Sequence, residues 1–202
     1  VNVSNLFGKE IIFEQSQQRP TVPVFSPHES MNLLSLAQAI KDIIKLLPKK
    51  CHPMDSIRTG VSFLGCEDDR IWDASPATNF DKAVRLLAKI PTMIAADFRI
   101  KKGLDPIAPN PELSISENFF HMCFGKIPEA KVVKAFDVSL ILYAEHSFNA
   151  STFTSRVVTS TESDIYSATV AGIGALKGPL HGGANEQVMH MMLEINDPKK
   201  KK

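Results

Sequence analysis

The stretch Gly178-Pro179-Leu180-His181-Gly182-Gly183-Ala184-Asn185-Glu186 holds the residues whose types and spacing speak most directly of chemistry. Two glycines directly after a histidine leave room for a ligand to lie against the backbone. If a helix starts there, His181 faces the positive end of its dipole, a field that disfavours the imidazolium form. A neutral imidazole in that place can donate a hydrogen bond to an oxygen that gains charge, such as a developing enolate. The same residues also suit a plain helix N-terminus whose glycines only make the turn. Spacing alone leaves both readings open.

A second group lies in Glu145-His146-Ser147-Phe148-Asn149-Ala150-Ser151-Thr152. Here the most apolar stretch of the chain gives way to the next helix, so His146 and Asn149 sit at the mouth of an apolar region. Neutral and charged donors in such a place can hold a carboxylate or carbonyl ligand. The alternative is that Asn149 or Ser151 caps the helix that follows.

Two further groups carry less. Glu186, His190 and Glu194 recur at four-residue steps and share one helix face, an arrangement open to a metal but better explained as a solvated polar face. No metal is expected. His52 and His121 with the many serines would allow a hydrolase triad, yet no Gly-x-Ser-x-Gly elbow exists to present the nucleophile.

The elements that must position these residues are helices. Leu33, Leu34, Ala37, Ile40, Ile43, Ile44 and Leu47 follow three- and four-residue steps, predicting a helix from Glu29 that Pro48 ends. A second helix is predicted from Pro53 to Leu64, stopped by Gly65. A third is capped by Asn79 or Asp81, turns Val84, Leu87 and Ala88 inward, and is kinked or divided at Pro91 near Ile90. Residues 101–111 read as a surface loop, and Ser116 to Phe124 as a short helix closed by Gly125. The helix opened by Pro128 loses nearly all polar residues after Asp137 and is expected to be buried on almost every side. Helices over Asn149 to Glu162 and Asp164 to Leu176 follow, the latter rich in glycine, alanine and serine. A last helix starts around Gly182 to Asn185. The expected class is all-α, with an extended arm over 1–28 (a short strand at Glu10 to Phe13 within it), a helical core over 29–198 and a basic tail over 199–202.

Bulk properties set the frame. Hydrophobic residues make up 44% of the 202 and charged residues 22%, enough apolar surface to offset chain entropy, so disorder of the whole chain is excluded. A net charge of +1 argues against binding nucleic acid or an anionic membrane mainly by electrostatics. No apolar run reaches the ~20 residues that cross a bilayer. Cys51, Cys66 and Cys123 lie in or beside apolar runs and read as reduced, buried thiols. With no signal peptide visible, a cytoplasmic location is expected, or a mitochondrial matrix one if a presequence has been removed.

Three motifs taken together resemble the citrate synthase superfamily, most closely its 2-methylcitrate synthase branch. They are His52-Pro53-Met54-Asp55 with Arg58-Thr59-Gly60-Val61-Ser62, the stretch from Leu142 to Arg156, and the stretch from Gly174 to Glu186. The resemblance covers roughly Leu46 to Pro198. It implies an almost entirely helical large-domain bundle that dimerises through packed helices, and a smaller domain whose movement closes the site. The implied reaction condenses an acyl-CoA (propionyl-CoA or acetyl-CoA) with oxaloacetate and hydrolyses the thioester to a tricarboxylate and free CoA. Acyl-CoA is then a substrate, and no tightly bound cofactor is implied. His181 matches the family's enol-stabilising histidine and His146 its oxaloacetate-binding histidine, with Asn149 in the same motif. Lys177, beside the His181 turn, is a candidate for CoA phosphates on electrostatic grounds.

The family's downstream glycine-histidine motif, catalytic aspartate and carboxylate-gripping arginines find no match after His181. His190 cannot substitute, since it lies on the short helix that His181 itself opens. The expectation is therefore a central piece of a family member, with the small domain and C-terminal part missing. The competing reading is a catalytically incomplete helical scaffold or regulatory partner that keeps the dimer-forming helices. Acetyl and propionyl differ by one methylene, worth only ~1–3 kcal/mol in a pocket, and the sequence does not choose between them.

Overall fold

The computed structural model describes residues 35–144 and 147–195, and every regular element among them is a helix. The expected arm, its strand, the start of the helix from Glu29 and the basic tail lie outside the described residues. Eight helices follow in order: α1 (Gln38–Leu46), α2 (Pro53–Cys66), α3 (Pro76–Lys101), α4 (Ile115–Phe124), α5 (Ala130–Tyr143), α6 (Ala150–Thr159), α7 (Ile165–Leu176) and α8 (Gly182–Ile195). None is long and apolar enough to cross a membrane among the described residues.

Most of these helices begin where a side chain can satisfy the orphan N–H groups of the first turn. The His52 ring accepts from the Met54 N–H, and Pro53 occupies the first helical position of α2. Ser114 and Glu117 form a reciprocal capping box on α4, and Gly125 closes that helix in the left-handed region at φ 69°. Asp164 caps α7.

Helix α2 lies at the centre, packed against α1, α3 and α7. Ile40, Ile44, Ile57, Val61, Leu64, Leu86, Met93 and Tyr166 form the main core. Each such fully buried side chain contributes roughly 1.5–3 kcal/mol relative to exposure. A smaller cluster of Ala95, Met122 and Cys123 joins α4 to α3.

Helix α3 departs from expectation at both ends of its reading. Its cap is Ser75, whose Oγ accepts from the Thr78 N–H, and Pro76 rather than Asn79 or Asp81 opens it. It then runs unbroken through Pro91 to Lys101. Pro91 lacks the N–H that would reach the Leu87 carbonyl, and Leu87 is 69% exposed, so water can take that bond. One residue further, the Thr92 hydroxyl donates to the Ala88 carbonyl.

The inner face of α3 is also displaced from the one expected. Lys82, Leu86, Lys89 and Met93 are buried, not Leu87. The lysine stems lie in the interior while their ammonium groups reach backbone carbonyls. Lys82 Nζ donates to Ile71 (3.0 Å) and Asp73 (2.9 Å), and Lys89 Nζ to Ser35 (2.5 Å). Burial pulls the Lys89 ammonium down to about 8.

Helix α5 overturns the expectation of burial, since none of its residues is buried. It packs on α4 through Phe136, stacked on Phe119 at 5.3 Å between ring centroids, and through the Ser116 hydroxyl, which donates to Asp137. Ile141 and Leu142 remain 66% and 70% exposed. An apolar segment states that a surface needs covering; it does not say that the same chain covers it. The thiols divide similarly: Cys123 is buried, Cys51 half-buried and Cys66 exposed, and all three are free.

Candidate functional site

The site forms where α6, α7 and the turn into α8 meet. Helices α6 and α7 approach closely enough for two rungs of hydrogen bonds. Ser155 Oγ donates to the Ala168 carbonyl at 3.0 Å, and Ser151 Oγ to the Gly172 carbonyl at 2.9 Å. Both pairs repeat at four-residue spacing, so one face of α6 reads one face of α7. Gly172 leaves the room this contact uses, because a β-carbon on it would stand 2.6 Å from Ser155 Oγ and something would have to shift.

The turn carrying His181 is folded on its own backbone. The Gly178 carbonyl accepts from both the His181 and the Gly183 N–H, at 3.0 and 3.1 Å. Any side chain on Gly182 would collide with the Leu176 carbonyl oxygen and side chain. Gly182 is also the first residue of α8, so His181 stands at the positive end of that helix, as the glycine pattern suggested. His181 is half-buried, and its Nε2 lies 2.9 Å from Ser151 Oγ.

Ser151 is the residue that sequence reasoning missed as part of the site. Its hydroxyl has one hydrogen and two partners at 2.9 Å. Directed to Gly172, that hydrogen leaves Oγ to accept from a protonated Nε2. Directed to His181, it leaves Nδ1 as the protonated ring nitrogen. The two states differ by one hydroxyl rotation. A signal existed in the Ser151/Ser155 spacing opposite the small residues of α7, but the partner of Ser151 is thirty positions away.

Asn149 caps α6, its Oδ1 accepting from the Thr152 N–H at 2.7 Å. The alternative reading of Asn149 as a cap is therefore part of its role, and Nδ2 is the group it can still offer a ligand. An open groove of about 760 Å³ runs from Phe148 and Asn149 past Phe153 and Arg156. His146 lies outside the described residues. Just after it, Ser147 holds φ 50°, a left-handed conformation uncommon for a residue with a side chain and often kept where a loop is held for function.

Lys177 is engaged. Its Nζ donates to Asp55 Oδ2 at 2.7 Å, and Arg58 Nη2 donates to Asp55 Oδ1 at 3.0 Å. The hydrogen bond from Lys177, with Arg58 beside it, holds the Asp55 carboxyl below its ordinary range. Glu186 lies 3.4 Å from His52 Nε2 at the start of α2 and 3.8 Å from His190 Nε2 on its own helix. Among the described residues, no group of three histidine, cysteine, aspartate or glutamate side chains is placed to hold a metal.

Residues 22–202 match the family model described as the C-terminal domain of citrate synthase, a match that begins upstream of the motifs first noticed. The chain is 58% identical over 161 residues to a 2-methylcitrate synthase of Mycobacterium tuberculosis, covering 80% of this chain and 40% of the relative. It is 54% identical to a citrate synthase of Mycolicibacterium smegmatis, covering 81% and 44%. The fold is similar to the crystal structure of citrate synthase from Pyrobaculum aerophilum, with a TM-score of 0.73 and 33% identity over 88% of this chain and 48% of that one. It is also similar to the Thermoplasma acidophilum citrate synthase solved with carboxymethyl coenzyme A and oxaloacetate, with a TM-score of 0.75 and 27% identity over 87% and 48%. The chain thus spans about 40% of the length of the curated relatives it matches.

Proposed function

The chain belongs to the citrate synthase family, and from that premise we propose that it takes part in condensing an acyl-CoA, propionyl or acetyl, with oxaloacetate. The products are 2-methylcitrate or citrate and free CoA, released when water cleaves the thioester. The observation that carries this reading is His181 at the opening of α8 with its Nε2 on Ser151. With Nε2 engaged, Nδ1 is the ring atom left for substrate. The relatives' names support both acyl groups, and the ligands of the Thermoplasma acidophilum structure support the substrate pair.

In this reading His181 donates from Nδ1 to the thioester oxygen, stabilising the charge that develops as the enol forms. Its neutral form then requires Ser151 to turn its hydrogen from Gly172 to Nε2. His146 donates to the carbonyl or a carboxylate of oxaloacetate and polarises the carbonyl for attack, with Asn149 Nδ2 as a second donor. The acceptor of the α-proton is assigned to no residue of this chain. No tightly bound cofactor is needed, since acyl-CoA is itself consumed. Lys177 keeps ammonium donors beyond the one given to Asp55, and a role toward CoA phosphates is proposed for it on electrostatic grounds alone.

The exposed apolar residues of α5 and α8, Ile141, Leu142, Met189 and Leu193 among them, favour a twofold dimer that covers such faces. We propose a cytoplasmic location, or the mitochondrial matrix if a presequence has been removed.

The test is thiol release from acyl-CoA in the full-length protein that carries this chain, with calorimetric titration of oxaloacetate. His181→Ala should lower kcat strongly and leave oxaloacetate affinity nearly intact. His146→Ala should weaken oxaloacetate binding by about 1.5–3 kcal/mol, the worth of a charge-assisted hydrogen bond. Equal loss of binding in the two variants would overturn the division of roles.

A further inference from the structure

The His181 turn is tethered on both sides to one turn of one helix. Lys177, four residues before His181, is bonded to Asp55, and Glu186, five residues after it, is paired with His52. His52 and Asp55 are the cap and third residue of α2, spaced to lie on one face. We propose that His52 and Asp55 are positioning residues that set the His181 turn against Ser151 through Glu186 and Lys177. The proposal rests on the reading of His181 given above.

Three observations support it. First, α2 is a rigid base: Ile57, Val61 and Leu64 of the same helix are among the most buried side chains. Second, the His52 ring is itself oriented. Its Nδ1 accepts the Met54 N–H, which places the ring hydrogen on Nε2, the atom that faces Glu186. Third, Asp55 is divided between two cations, Oδ2 to Lys177 and Oδ1 to Arg58, so its carboxylate plane is set from both sides. The Lys177 and Asp55 side chains are 38% and 25% exposed, and pairs that open to solvent add little to global stability. Their effect is then on where the turn sits. A displacement of about 1 Å at a reacting group can cost about a hundredfold in rate.

The experiment is a charge-pair series in the full-length protein: Asp55→Asn, Lys177→Met, the double variant, and the reversed pair Asp55→Lys with Lys177→Asp. Turnover is measured beside the ¹⁵N signals of the His181 ring. Positioning predicts that each single variant lowers kcat about tenfold with KM for acyl-CoA unchanged. The double variant should be no worse than either single one, and the reversed pair should recover part of the loss. The His181 ring nitrogens should shift in both single variants while the unfolding midpoint holds. A raised KM for acyl-CoA in Lys177→Met alone would instead give Lys177 to the CoA phosphates and overturn the proposal. If the parent protein shows no turnover, the proposed reaction fails, and the ring signals still decide: unchanged His181 resonances in both variants overturn the tether.

Discussion

Ser151 Oγ and His181 Nε2 stand 2.9 Å apart across thirty positions of sequence, joining the first turn of α6 to the opening of α8. Because the same hydroxyl also reaches the Gly172 carbonyl, the ring of His181 is oriented by a residue that is itself anchored in the α6–α7 contact.

Ser151→Ala should therefore cost twice. The Gly172 carbonyl, which keeps its place in the α7 ladder, and the half-buried His181 ring each lose a partner, lowering stability by about 0.5–1.5 kcal/mol, the net worth of an ordinary hydrogen bond. In the full-length protein kcat should fall roughly tenfold, the scale of one lost hydrogen bond. Ser151→Thr, which keeps the hydroxyl, should retain more activity than the alanine variant. Steady-state kinetics with the two variants checks this, and equal activity of Ser151→Ala and wild type would show that the contact does not matter to turnover.

Gly172→Ala should destabilise by about 1–3 kcal/mol, because its β-carbon would stand 2.6 Å from Ser155 Oγ and force α6 away. Ser155→Ala in the same chain removes the obstructing atom. The double variant should then recover most of the loss, helped by the better helix propensity of alanine, about 1 kcal/mol. Urea denaturation of the two single variants and the double one measures it. A double variant as unstable as Gly172→Ala would place the obstruction elsewhere.

Lys89 gives stability an inverted pH response. Its folded value is about 8, against an ordinary 10.5, so between these limits the unfolded chain binds more protons. Stability from this group rises with pH across that window, and the cost of burying the charge is complete below it. The gain is at most about 3 kcal/mol. Lys89→Met has no such step. Denaturant midpoints of wild type and variant, compared at about pH 7.5 and about pH 10, should shift in favour of wild type at the higher value. A constant difference between them would show that the ammonium is solvated.

Leu142→Glu places a charge on the bare apolar face of α5, where Leu142 is 70% exposed. If two copies cover that face, the substitution should lower the mass seen by light scattering at micromolar concentration from dimer to monomer. An unchanged mass would move the interface to another face.

The sequence determined, through local physics, the features that are settled within one or two turns of chain. Helical periodicity and the stops at Pro48 and Gly125 follow from short-range sterics and hydrogen bonding. So do the start of α2 at Pro53, the Asn149 cap and the glycine turn that opens α8. Each was legible because the partners are near neighbours. Pro91 shows the limit of even that reasoning: α3 runs through it to Lys101 although Pro91 has no N–H to give the Leu87 carbonyl. Tertiary structure alone decided that Ser151 meets His181, that Lys177 belongs to Asp55, and that Lys82 and Lys89 find carbonyls in the interior. It also left Ile141 and Leu142 of α5 exposed. These depend on which helix faces meet at atomic distance, and a hydroxyl, an ammonium or an apolar stripe has many acceptable partners until packing chooses one.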